Sequence, residues 1–259
     1  MPVVRLEKQD SVGHIILDRP PANSYDPAFM QDLDAAIEEA RGDDAVKAIV
    51  VRSSSEKFFS AGADVSFFAN ADLLDAEKTL VVCANQTIEK LESTPKVVVA
   101  AINGHCLGGG LEIALCCDFR IAAEGSYKIG LPEVTLGLLP GTGGTQRLPR
   151  LIGRQKALEL MLRGTTLSPQ EAKDVGIVDE VVPAPDLVTR AHERARSYTE
   201  GPSYAVGQIK LAAVQGFGRP LAEGLAIERE ALIRLFKGED AREGVKAFAE
   251  KRKPVYKGR

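Results

Sequence analysis

No metal-binding set is legible in this chain of 259 residues. Its three histidines, His14, His105 and His192, stand far apart, and its four cysteines, Cys83, Cys106, Cys116 and Cys117, never take Cys-x-x-Cys spacing. Zinc-type and redox-pair chemistry therefore lack a ligand framework, and the cysteines, two of them adjacent in an apolar run, are expected to be buried free thiols. Charge of one sign does not accumulate either. Thirty-three Lys and Arg stand against 36 Asp and Glu, for a net charge of −3, so no nucleic-acid or membrane surface is expected. The longest apolar run, residues 97–102, is too short to span a bilayer. Neither a signal h-region nor an Arg/Ser-rich leader precedes the alternating segment that starts at Val3, which makes a soluble, cytoplasmic protein the expectation. A Gly-x-Ser-x-Gly elbow is missing, which disfavours a Ser-His-Asp hydrolase. The loop Gly141-Thr-Gly-Gly144 has neither of the glycine spacings that cradle nucleotide phosphates.

What is present is a rhythm. Two alternating segments, 4–8 and 12–17, are separated by Gln9-Asp10-Ser11 and read as a hairpin. From Pro27 to Arg41 the residues Phe29, Met30, Leu33, Ile37 and Ala40 recur at helical spacing, with Gly42 as the stop. Buried strands are expected at 47–52, 96–102 and 118–123, with a helix over 73–91. Twice a strand leads into a glycine-containing loop and then a helix, so stacked ββα turns with helices outside are expected. Ser168-Pro169-Gln170-Glu171 reads as a capping box that opens a helix, and beyond residues 178–182 the pattern is helical only. A core over 1–183 and a helical region over 184–259 follow, the latter needing a partner surface for Leu221, Leu225, Leu232, Leu235 and Phe236.

Asn103-Gly-His-Cys-Leu-Gly-Gly-Gly-Leu-Glu112 places three glycines between an apolar strand and a helix start. A ligand can lie directly against such a main chain, and its unpaired amides suit an anionic oxygen. Glu112 falls within a turn of that spot. A second carboxylate, Glu133, follows Gly130-Leu-Pro and precedes another glycine loop. Two carboxylates that share one water or one substrate proton can divide into an acid and a base, because repulsion raises one pKa. The loop Phe59-Ser-Ala-Gly-Ala63-Asp64 offers a further amide at Ala63, which with Gly109 could form an oxyanion hole. Taken singly, each glutamate reads equally well as a helix-start surface residue, and residues 59–64 as a plain turn.

Four collinear stretches, Lys57-Phe-Phe-Ser-Ala-Gly-Ala-Asp64, Asn103 to Glu112, Gly130-Leu-Pro-Glu133 and Leu139-Pro-Gly-Thr-Gly-Gly-Thr-Gln-Arg147, resemble the enoyl-CoA hydratase/isomerase (crotonase) family. The likeness continues through Lys156-Ala-Leu-Glu-Leu-Met-Leu-Arg-Gly164 to the ending Glu250-Lys-Arg-Lys-Pro254. It implies an α/β, ClpP-like crotonase spiral of ββα units with a C-terminal helical region that trimerises, commonly as a dimer of trimers. It also implies a 2-enoyl-CoA hydratase in which Glu112 activates water, Glu133 delivers the proton, and the amides of Ala63 and Gly109 hold the thioester oxygen. By the same resemblance Ala61, Ala63, Asp64, Val65 and Ser66 line the CoA groove, Gly141 touches the water, and Phe248 and Lys251 reach in from a neighbouring subunit. No cofactor is expected, CoA being part of the substrate. The alternatives are an isomerase, a hydratase for branched or cyclic acyl-CoA, and a non-catalytic acyl-CoA binding protein.

Some positions depart from the family pattern. Residues 123–130 run one residue long, Ser66 stands where a basic residue is common, and Asn23-Ser24-Tyr25-Asp26 is polar near the expected acyl-CoA entrance. His105 is expected to be packed or hydrogen-bonded rather than a proton relay.

Overall fold

The computed structural model describes residues 2–258 except 71, 73 and 75–77. Two sheets organise it. The larger has the order β1 (Val4–Gln9), β2 (Val12–Leu17), β3 (Ala48–Ser53), β5 (Val97–Ile102), β7 (Phe119–Ala123), β10 (Glu180–Val182), and the smaller runs β4 (Phe58–Ser60), β6 (His105–Leu107), β8 (Ile129–Gly130), β9 (Thr166–Leu167). The β1–β2 hairpin is antiparallel, from Val4 opposite Leu17 to Gln9 opposite Val12. From β2 through β3, β5 and β7 to β10 every pairing is parallel. In the smaller sheet β4, β6 and β8 are parallel and β9 closes antiparallel.

The chain therefore lays one strand in the large sheet, the next in the small sheet, then a helical segment, and repeats: β3, β4 and Val65–Asn70; β5, β6 and Gly109–Leu115; β7, β8 and the 3-10 turn Glu133–Leu136. This is the expected spiral of ββα units. Both β2 and β5 are buried along their whole length, and β5 is accordingly a continuous apolar run instead of an alternating one.

Helix Pro27–Gly42 starts where Asp26 accepts from the Phe29 amide at 2.9 Å and Pro27 fixes the first helical φ. It buries Phe29, Met30, Leu33, Ala36, Ile37 and Ala40, and each larger side chain contributes about 1.5–3 kcal/mol by leaving water. The capping box at Ser168 forms as read, with Ser168 and Glu171 bonded reciprocally. The helix read over 73–91 begins outside the described residues. Its described part is a π-helical turn, Lys78–Ala84, running into α-helix Asn85–Ser93.

Residues after Pro183 are tied to the sheets. Helix Leu187–Arg196 buries Leu187, Ala191 and Ala195 in the same core cluster, and Tyr198 stacks on Phe119. On helix Ser203–Gly216, Lys210 is buried and its Nζ reaches Asp118 at 2.8 Å and the Lys96 carbonyl at 2.9 Å. Helix Leu221–Lys237 buries no residue within this chain; Leu221, Ile233 and Phe236 are exposed. One correction concerns the cysteines. Cys106, Cys116 and Cys117 are buried thiols, but Cys83, on the π-helical turn Lys78–Ala84, is exposed.

Candidate active site

Gly108 turns the chain from β6 into helix Gly109–Leu115 at φ +53. Its amide donates to the Gly130 carbonyl at 2.9 Å, and its carbonyl accepts from Leu111 at 2.8 Å and Glu112 at 3.1 Å. A Cβ at Gly108 would lie 3.1 Å from Oε1 of Glu133, so the glycine is what lets the second carboxylate approach this turn. Glu133 thus approaches the turn that leads into the helix of Glu112, near enough for the two charges to interact.

Their surroundings differ. Glu112 is 1% exposed. Its Oε1 accepts from the amides of Thr142 (2.8 Å) and Gly144 (2.7 Å), and its Oε2 accepts from the Thr142 hydroxyl. Burial pushes its pKa up, and these three donors hold that rise back. Glu133 opens a 3-10 turn behind Pro132, and its buried Oε2 has no hydrogen-bond partner among the described residues. Burial, offset by its own amide and reinforced by the charge of Glu112, lifts Glu133 to about 7. One carboxylate is fully clamped; the other carries a proton near neutrality and has a free oxygen.

The Gly141–Gly144 loop that clamps Glu112 is itself held. Nη1 of Arg147 donates to the Thr142 carbonyl at 3.2 Å while Nε and Nη2 reach Glu92 at 3.0 and 2.8 Å. Asn85 Nδ2 donates to the Gly141 carbonyl at 3.0 Å.

The loops that carry Ala63 and Gly109 lie against each other. Gly62 takes φ +84, and a Cβ there would sit 2.7 Å from the Gly109 nitrogen, so the two loops touch backbone to backbone. Tyr25 brackets Ala63: its amide donates to Gly62 at 2.8 Å and its carbonyl accepts from Asp64 at 2.9 Å. Neither the Ala63 nor the Gly109 amide donates in any hydrogen bond among the described residues. The arrangement sets two unspent donors near two carboxylates, one held by three donors and one with a free oxygen.

The remaining sequence candidates spread outward. The Ala61 amide donates to the Ala22 carbonyl at 2.9 Å. Asp64 caps helix Val65–Asn70 through the Ser66 amide (3.1 Å) and hydroxyl (2.6 Å), and pairs with Arg19 at 3.3 Å. Its side chain is therefore engaged in structure, while Val65 and Ser66 are exposed. Gly141 is exposed. Phe248 is 88% exposed, and Lys251 is exposed in the left-handed region at φ +55. Neither bonds to the glutamates within this chain. His105 is packed as expected, its ring against Phe58 and Tyr127, with Nδ1 accepting from the Lys128 amide at 3.2 Å.

Sequence reasoning missed Thr142, the main partner of Glu112. The available signal was a lone hydroxyl residue inside a glycine run. Among the described residues no three His, Cys, Asp or Glu side chains gather in a way that could hold a metal ion. No helix among them is long and apolar enough to cross a membrane.

Comparison with known proteins gives one consistent result. The family description "Enoyl-CoA hydratase/isomerase" matches residues 7–259. The chain is 36% identical over 252 residues to the crotonyl-CoA hydratase of Syntrophomonas wolfei, covering 97% of this chain and 96% of that one. It is 38% identical over 259 residues to the enoyl-CoA isomerase/hydratase fer4 of Mycosarcoma maydis, covering 96% and 93%. Among solved structures, an enoyl-CoA hydratase from Geobacillus kaustophilus superposes with a TM-score of 0.95 at 43% identity, covering 100% of this chain and 98% of that one.

Proposed function

The chain belongs to the enoyl-CoA hydratase/isomerase family, and from that premise we propose how its residues add water to a 2-enoyl-CoA to give a 3-hydroxyacyl-CoA. The thioester carbonyl oxygen sits between the amides of Ala63 and Gly109. As hydroxide adds at C3, negative charge grows on that oxygen, and donors already in place lower the barrier; removing one such donor costs about 10²–10³ in rate. The water lies between the two glutamates, near Gly141. Glu112, held by its three donors, takes one proton from it; Glu133, protonated, gives one to C2. One H and one OH are added, and the return of a proton from Glu112 to Glu133 resets the site. The observation that carries this reading is the unpartnered Oε2 of Glu133 with a pKa near 7, facing a carboxylate whose oxygens are all engaged.

The test is loss of the conjugated enoyl-thioester absorbance with crotonyl-CoA and with a longer enoyl-CoA. Turnover by the wild type, with large losses in Glu112→Gln and Glu133→Gln, is expected. Binding of CoA esters without turnover of either substrate would leave an acyl-CoA binding protein. Double-bond migration without hydration would make the chain an isomerase.

Further parts of the reading concern the assembly. The reaction draws on no cofactor beyond the CoA of its substrate. Ala61 and residues 63–66 line the CoA groove. The exposed Leu221, Leu225, Leu232, Ile233 and Phe236 pack against copies of the chain in a homotrimer or a dimer of trimers, bringing Phe248 and Lys251 of a neighbour to the CoA. Light scattering that returns a monomer would refute this. A cytoplasmic location is supported by four cysteines that remain thiols.

A further inference from the structure

Tyr25 has no part in the two-glutamate scheme, yet it lies against both loops that carry the amide donors. Its amide and carbonyl flank Ala63 in a parallel bridge. Its side chain is 3% exposed, and the ring lies so close to Gly109 that a Cβ there would sit 2.7 Å from the phenol Cζ and overlap the hydroxyl. Thr142, whose hydroxyl and amide both donate to Glu112, lies beside that phenol.

The segment that carries Tyr25 does not drift. Asn23 Nδ2 donates to Ser53 Oγ at 2.7 Å and to the Phe59 carbonyl at 2.9 Å. Arg19 donates to the Ser24 carbonyl and pairs with Asp26 at 2.7 Å. Burial and the nearby charges of Glu112 and Glu133 raise the phenol pKa, so the group stays a donor throughout the working pH range.

We propose that Tyr25 is a positioning residue: its main chain and ring fix the spacing of the Ala63 and Gly109 amides. The proposal rests on the oxyanion reading of those amides and not on hydration.

The experiment compares Tyr25→Phe and Tyr25→Leu with the wild type.

The ring is tested without turnover, using acetoacetyl-CoA, whose enolate puts charge on the same oxygen. The enolate absorbance and affinity are retained in Tyr25→Phe and fall at least about tenfold in Tyr25→Leu, the loss expected when an oxyanion donor is misplaced. Equal binding by all three proteins overturns the spacing role. Where the wild type binds acetoacetyl-CoA but hydrates nothing, the hydratase reading has failed and the spacing role is still decided. Should Tyr25→Leu not fold, Tyr25→Phe decides, since it keeps the packed ring: the spacing role then requires that its enolate absorbance match the wild type, and a loss overturns it.

Discussion

Replacing Glu133 by glutamine should remove activity and raise stability above neutral pH. Burial lifts this carboxyl from its ordinary 4.5 to about 7 in the folded protein. Between those values the unfolded chain releases the proton while the folded one keeps it, so stability falls as pH rises from about 4.5 to 7, and the full cost is present above 7. Taken at face value the shift is worth about 3 kcal/mol; the side chain is only partly buried, and screening by water reduces the expected cost to about 1–2 kcal/mol. Glutamine is isosteric and never ionises, so it escapes that cost. Urea unfolding of wild type and Glu133→Gln, at one protein concentration so that assembly contributes equally, should give curves whose difference is constant below about pH 4.5. The difference should open in favour of the variant by about 1–2 kcal/mol at pH 8. Hydration by the variant should drop about 10²–10⁴-fold. A stability difference independent of pH would show that Glu133 is ionised at neutrality in the free protein, and the acid role assigned to it would fall.

His14 gives the mirror case. It is 4% exposed, and burial with the nearby Arg52 lowers it to about 4, so the fold keeps it neutral and loses up to about 3 kcal/mol as pH falls from 6.5 to 4. His14→Gln should flatten that part of a stability-versus-pH curve, and an unchanged slope would count against it. Gly109→Ala puts a methyl into the Tyr25 ring and should cost about 10²-fold or more in kcat through displacement of the amide donor; activity within threefold of wild type would contradict the oxyanion assignment. Lys210→Met leaves Asp118 buried without its cation and should cost about 3–5 kcal/mol in unfolding, part of it recovered by adding Asp118→Asn. Little loss in the single variant would mean that the pair does not tie helix Ser203–Gly216 to the sheets.

The large sheet could be read in the sequence because strands buried on both faces leave long apolar runs, as at residues 97–102. The small sheet could not. Its strands are two or three residues long, too short for a period to register, and they appear in the sequence only as the residues around glycine loops. Glu112 and Glu133 stood out because each is a carboxylate amid glycines, and Gly109 and Ala63 because their loops match in kind. Thr142 did not, because its value comes from facing Glu112 across 30 residues, a relation no local pattern records. Tyr25 showed only as a polar intrusion near the expected entrance; its place between both loops depends on a bridge to Ala63. Cys83 was grouped with buried thiols by composition, and only the path of the chain puts it outside.

The short parallel ladder of β4, β6 and β8 also acts as a ruler. Ala63, Gly109 and Glu133 follow three neighbouring strands of that ladder, and strand neighbours are about 4.8 Å apart. On the proposed reading a bound acyl thioester lies across the strands, its carbonyl between the first two and its reacting carbons toward the third. Where along the acyl chain water adds is therefore measured out by hydrogen-bonded backbone. Enlarging the pocket would change which tails are admitted, whereas moving the attack to another carbon would require a different rung.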